Sequence, residues 1–213
     1  MDKESDKLIA ALAAELTPVR PMRLKTGLGW LAAAVLATLA VTVLWFGLRA
    51  DLMAGTAPPL VPLASGLWLL LGLATASSAI ALGTPEVGRR SSGWRWTLAM
   101  AALLPAGALV TILRDVPDGR IPSGTVEWAC VGDALALGLM TAVPLILWLR
   151  RAAPVSPERA GVLVGIASGS IGIFAFSLHC PIDGFAHLGL GHAVPVLIAA
   201  LVGRLLLPRF LRW

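Results

Sequence analysis

Six long apolar runs separated by short polar connections set the pattern of this 213-residue chain. They cover about 27–48, 60–83, 96–113, 129–149, 160–178 and 190–207. A bilayer core about 30 Å thick takes roughly 20 residues of helix to cross. Lipid cannot satisfy backbone N–H and C=O groups, so each run predicts a spanning helix. Transmembrane β-strands would alternate apolar and polar residues over about ten positions, and no segment here does so. The expected fold is therefore all-α, a polytopic six-helix transmembrane bundle over residues 27–213 with a polar segment, residues 1–26, ahead of it.

That leading segment has its own periodicity. Leu8, Ile9, Leu12 and Leu16 recur at helical spacing and line one face of a short amphipathic helix. Thr17-Pro18 should stop it, and Pro18-Val19-Arg20-Pro21 reads as a stiff, extended linker into the first span. Two occupants suit the leucine stripe: the membrane surface, or a soluble partner that takes the stripe as an anchor. The acidic residues on the polar face favour the partner. The segment is not expected to be a secretory signal. It is mixed in charge, and the apolar run after it exceeds a signal core of about 7–15 residues.

Composition agrees with the pattern. The chain is 57% hydrophobic and 14% charged, against about 25% charged in soluble domains. Charge then orients it. All 17 Lys and Arg except Arg49, Arg114 and Arg120 fall on the side of the N-terminus. Loops rich in Lys and Arg are the cytoplasmic ones, so both termini are expected in the cytoplasm. The same asymmetry, facing anionic lipid, accounts for a net charge of +5 and a pI of 10.2. No direct nucleic-acid partner is implied, and oligomeric state is left open.

The connections are too short for a soluble catalytic domain, so the chemistry must sit in the spans or just outside them. Cys130 opens the fourth span, with Asp133 one turn further in. The stretch from His179 to His192 holds Cys180, Asp183, His187 and every histidine of the chain. Topology places Cys130 and Cys180 on the same, oxidising side at similar depth. They could form a structural staple or a sensing disulfide. Together with His179 and His187 they could also bind a soft metal, although no CxxC or HExxH spacing marks a dedicated zinc site. No resident cofactor is expected. Gly161, Gly165 and Gly169 recur every four residues in the fifth span, which suits close helix packing or a helix that slides as a unit. Pro62, Pro105, Pro144 and Pro195 are expected to kink their helices.

Two enzyme readings are weak. An intramembrane serine protease would pair Ser168 or Ser170 with His192, but the Gly-x-Ser-Gly signature is missing from Gly165-Ile166-Ala167-Ser168-Gly169. A quinone-linked thiol oxidase needs closely spaced cysteine pairs, and the two cysteines here lie far apart in sequence. A non-enzyme is expected. A metal or small-solute transporter built on Asp133 and the histidines is the alternative. It lacks the ionisable residues that a substrate path needs in mid-span, and it shows no internal repeat.

The residues also carry a likeness. Leu8-Ile9-Ala10-Ala11-Leu12 with Thr17-Pro18-Val19-Arg20-Pro21, the Cys130/Cys180 pair, and Cys180-Pro181 followed by Asp183, His187 and Gly191-His192 together resemble the NrsF family of membrane anti-sigma factors. The resemblance covers nearly the whole chain. It implies an N-terminal segment that holds an extracytoplasmic-function sigma factor, with Leu8, Ile9, Leu12, Leu16, Val19 and Arg20 as contact residues. It also implies that Cys130 and Cys180 respond to oxidant or heavy metal, the metal binding transiently as the signal.

Overall fold

The computed structural model describes residues 3–15, 22–83, 93–115, 122–152, 154 and 156–211. Among these residues all regular secondary structure is helical, with no strand. Six helices are long and apolar enough to cross a membrane: Leu24–Phe46, Leu60–Ala81, Gly93–Arg114, Trp128–Ala152, Pro157–Ser177 and His187–Leu211. Each lies within a few residues of an expected span at both ends.

In chain order, α1 is Lys3–Glu15, α2 is Leu24–Val41 and α3 is Ala50–Ala54. They are followed by α4 (Leu60–Ala81), α5 (Gly93–Asp115), α6 (Trp128–Ala152), α7 (Pro157–Ser177) and α8 (His192–Leu211). Wider π turns extend α2 through Thr42–Phe46 and precede α8 at His187–Gly191. Pro195 cannot donate to the carbonyl four residues before it, which is that of Gly191, and the wide turn falls just there. Pro105 and Pro144 lie inside α5 and α6. Pro62 falls instead in the first turn of α4, where a missing N–H costs no helical bond.

The bundle is organised around α7. Its central stretch is 89% buried, against 22% for α5 at the periphery. The glycine spacing makes this burial feasible. A Cβ on Gly161 would collide with Gly203 O, and one on Gly165 with Ala199 O. A Cβ on Gly169 would lie 2.7 Å from Val196 Cα, all on the α8 side. Gly172 performs the same role towards α6, where a Cβ would strike Ala134 O. Small residues let backbones approach where lipid offers no hydrophobic drive between helices.

Several polar side chains in the spans are satisfied within their own helix. Thr38, Thr42, Ser65 and Thr75 each donate to the carbonyl four residues back. One polar contact crosses from α4 to α7, Ser65 Oγ to Ser177 Oγ at 2.8 Å.

The start of α2, the end of α4 and the end of α6 meet at one end of the bundle. There a Cβ on Gly27 would strike Ile80, and Trp148 Nε1 donates to Ile80 O at 3.3 Å. Arg151 stacks over Trp30 at 5.3 Å. The end of α2 lies at the opposite end of the bundle, against the end of α7: the Phe46 and Phe176 rings meet edge to face at 5.7 Å.

The helix α1 is expected from the leucine stripe, and it forms over Lys3–Glu15 with Glu4 and Asp6 in its first turn. None of its residues is buried, and Leu8, Ile9 and Leu12 are 61%, 56% and 56% exposed. Leu16, Val19 and Arg20, also expected to contact a partner, lie outside the described residues, as does the Thr17-Pro18 stop.

Candidate functional site: a buried thiol and imidazole cluster

Cys130 sits in the first turn of α6 and is half-buried, while Cys180 lies three residues beyond the end of α7 and is buried. Packing of α6 on α7, permitted by Gly172 and Gly138, brings these two ends together. A Cβ on Gly138 would approach Ser168 O to 2.7 Å. Both thiols are free. Their Sγ atoms and a ring nitrogen of His187 all lie within 4.8 Å of one another.

The surroundings fix the state of His187. Its Nδ1 faces two backbone carbonyls, Thr125 O at 3.1 Å and Gly124 O at 3.2 Å. Carbonyls only accept, so Nδ1 carries the proton. That leaves Nε2, 3.4 Å from Cys180 Sγ, as the acceptor for the Cys180 thiol. Burial disfavours a thiolate at Cys180, but His187, whose Nε2 can take the thiol proton and then donate it back to the sulfur, and the Ile182 backbone N–H outweigh that cost. The thiol is held below the ordinary cysteine range. Gly191 makes the arrangement possible, because a Cβ there would strike Thr125 O and come within 3.0 Å of His187 Nδ1.

The last span therefore begins at His187, three residues before the expected start at 190, and His187 belongs to a helical wall rather than a loop. Gly189 nests the same wide turn on α5, where a Cβ would lie 2.7 Å from Leu104 O. His192 follows one turn later, 1% exposed, its ring edge-on to that of His187 with centroids 5.0 Å apart. Neither of its nitrogens has a hydrogen-bond partner. An unmet buried polar group costs about 1–3 kcal/mol, so this ring is held in the cluster at some expense.

His179 lies apart from the thiols. Its Nδ1 is 3.3 Å from Gly47 O, and its ring packs against Phe46 and Phe176 at 5.5 and 5.7 Å. Asp133 is half-buried on α6 and outside the cluster. Ser168 donates to Gly165 O, and Ser170 Oγ and both His192 nitrogens are without partners, so no serine–histidine pair forms among the described residues.

Arg49 was not singled out by the sequence reading beyond its place among the outer basic residues. The chain turns at Gly47, whose φ of 81° suits glycine, and brings Arg49 under the Cys180 loop. Its backbone N–H donates to Leu178 O at 2.9 Å and its Nη1 to Cys180 O at 2.8 Å. Asp51 neutralises the guanidinium through two parallel bonds, Nε to Oδ1 and Nη2 to Oδ2, each 2.6 Å. The hydrogen bond from Arg49 holds the Asp51 carboxyl below the usual carboxylate range. A signal was available in the sequence: an arginine directly after an apolar span, among the few on its side of the chain, and two residues from an aspartate.

Comparison with known proteins gives the chain its family. Residues 12–213 match the model of the family described as negative regulator of sigma F, NrsF. The chain is also 31% identical over 222 residues to the anti-sigma-F factor NrsF of Caulobacter vibrioides (strain NA1000 / CB15N), covering 98% of this chain and 99% of that one. No solved structure matches it. The chain belongs to the NrsF family of negative regulators of sigma F.

Proposed function

We propose that this NrsF-family member holds a sigma factor of the extracytoplasmic-function class through residues 1–26 and releases it when Cys130 and Cys180 are modified by oxidant or soft metal. The helices would cross the bacterial inner membrane with both termini in the cytoplasm, and the thiols would face outward. In the resting state Leu8, Ile9, Leu12 and Leu16 would be buried on the sigma factor, keeping it from RNA polymerase.

One observation carries the reading. The carbonyl of Cys180, a member of the thiol pair, is gripped by Arg49. Arg49 lies just past the turn that ends α2, and α2 is the span that leads back to α1. A change at the sulfurs thus bears on the far end of the helix that carries the partner-binding segment. Oxidation would remove two electrons and two protons from the pair to a two-electron oxidant and draw α6 towards the Cys180 loop.

Magnitudes bound the response. A switch from 1:99 to 99:1 needs about 5.5 kcal/mol of preference for the released state, whereas a disulfide typically supplies about 2–4 kcal/mol. Oxidation alone would give partial release.

The test has two parts. Reporter fusions after residue 25 and in 151–158 should read cytoplasm, and those in 50–58 and 181–188 should read outside. Deleting the gene should raise transcription from promoters of a sigma factor encoded beside it. An outward N-terminus, or no change on deletion, would refute the reading.

A further inference from the structure

We propose that the cleft between α4, α5 and α8 is a binding site for a membrane quinone, a neutral ring with carbonyl oxygens on an apolar tail. The site is separate from the thiol cluster, since neither cysteine nor any histidine lines it. It does not rest on the function proposed above.

The cleft exists because α5 is a peripheral helix. It packs on α4 and on the wide turn at His187–Gly191, with only 22% of its central stretch buried. Gly189 holds it at that turn, where a Cβ would lie 2.7 Å from Leu104 O. Beyond the turn, α5 and α8 leave between them a cavity of about 340 Å³. Trp68 of α4, Ala102 and Pro105 of α5, Ala193 and Leu197 of α8, and Thr125 from the connection into α6 all line it. Small-molecule sites measure about 300–1,000 Å³, so this one suits a substituted ring and a short length of its tail. The rest of the tail would leave past Leu98 and Leu197, which are 37% and 67% exposed.

Two of the lining side chains lack a partner. Trp68 is 2% exposed and Thr125 3%, and neither the indole Nε1 nor the threonine Oγ1 makes a hydrogen bond among the described residues. A buried indole N–H usually finds an acceptor, and it can only donate. Ser65 and Thr75, on the same helix as Trp68, bond the carbonyl four residues back. The rigid indole has no such recourse, so an acceptor has to come from outside the chain.

These facts select the occupant. A lipid acyl chain would fill the space but bring no acceptor. No charged residue lines the cavity, so a carboxylate or phosphate head would be buried without a counter-charge, which is costly. A quinone is neutral and its carbonyl oxygens accept from an indole N–H or a hydroxyl. Its ring can stack on the Trp68 indole, and its tail suits a cleft that faces lipid. Binding alone is proposed, with no electron transfer.

The test uses the full-length chain in phosphatidylcholine nanodiscs, with decylubiquinone as the probe and oleate as competitor. Decylubiquinone should bind saturably at one equivalent, measured by its partition into loaded against empty nanodiscs. A photoreactive azidoquinone should label peptides of α4, α5 or α8. Ala102→Trp, at an exposed lining position, should fill the cavity and abolish saturable binding. Leu103→Trp, 69% exposed and not in the lining, should leave it unchanged. Trp68→Phe and Thr125→Val should each weaken binding about two- to twelvefold, the worth of one hydrogen bond. Partition no greater than in empty nanodiscs, or wild-type binding in Ala102→Trp, would overturn the proposal. Displacement of the probe by equimolar oleate would also overturn it and make the cleft a groove for lipid tails. Should a variant fail to fold, the labelling of the wild type decides, and label confined to other helices would sink the site.

Discussion

The thiol end of the bundle closes on itself, whereas the segment that precedes its other end does not. Around Cys180 the chain supplies its own partners: His187 on the sulfur, Arg49 on the carbonyl, Thr125 and Gly124 behind the imidazole. In α1 the apolar face of Leu8, Ile9 and Leu12 is more than half exposed, and no residue of the helix is buried. One region is finished within the chain. The other lacks the surface that would complete it, which is the condition expected of a segment whose partner is a separate protein. Substitutions should separate the two: those in α1 should alter output without altering the fold, and those at the thiol end should alter the response or the coupling.

The largest effect is expected in α1. Leu12→Asp places a charge in the apolar contact, where loss of a central residue costs about 2 kcal/mol or more, roughly thirtyfold in affinity. The sigma regulon should become constitutively active while the protein accumulates normally, as measured by a promoter reporter and by immunoblot of membranes. Full repression at normal abundance would mean that the exposed stripe faces something other than the sigma factor.

At the thiol end, Cys130→Ser or Cys180→Ser should abolish induction by oxidant or cadmium and leave the sigma factor repressed, with protein level unchanged. If the pair were only a staple, the same variants would instead fall in abundance and raise basal activity. Thiol trapping separates the stimuli. A disulfide protects both cysteines from alkylation until a reductant is added, and a bound metal protects them until a chelator is added. Full induction in the double variant would end the assignment of the input to these sulfurs.

How legible these two ends were in the sequence differs for a physical reason. Apolar run length reports burial in lipid directly, so all six spans were readable, as was the close packing of the Gly161, Gly165 and Gly169 face of α7, but not that this face meets α8. The meeting of Cys130 and Cys180 also followed, because both lie near span ends on one side. What the sequence could not supply was the fine position of ends and turns. The start of the last span depends on Gly189 and Gly191 letting a wide turn nest against Leu104 and Thr125, a tertiary effect with no periodic signature. For the same reason His179 and His187, eight residues apart in one polar stretch, looked equivalent as ligands. Arg49 was legible as an oddity of charge but not as a clamp, since its partner carbonyl is 131 residues away.

An intermediate effect is expected at that clamp. Arg49→Gln removes the paired guanidinium and weakens the hold on the Cys180 carbonyl while the backbone bond from residue 49 to Leu178 O can persist. If this contact links input to output, the variant should show blunted induction and a basal output a few-fold above wild type, with Cys130 and Cys180 still able to be trapped by thiol reagents. Wild-type induction in Arg49→Gln would mean that the signal reaches α1 through α6 and α7 without passing along α2.

The smallest effect is expected at His179, and it sharpens the contrast because His179 is so near the cluster in sequence. Its ring fills the space between Phe46 and Phe176, and its Nδ1 approaches Gly47 O at 3.3 Å. It thus belongs to the junction between the end of α2 and the end of α7 and not to the sulfur chemistry. His179→Phe would keep an aromatic ring in that space and lose only one polar contact, a net change of about 0.5–1.5 kcal/mol. Induction by oxidant or cadmium should persist, with basal output shifted by less than about an order of magnitude, as that energy implies. His187→Phe, by contrast, removes the acceptor 3.4 Å from Cys180 Sγ and should abolish the cadmium response. Measuring both variants in one reporter strain gives the cleanest comparison of the two histidines. Equal loss in both would show that the whole stretch from His179 to His187 responds as a unit, and that the separation seen between junction and cluster has no counterpart in signalling.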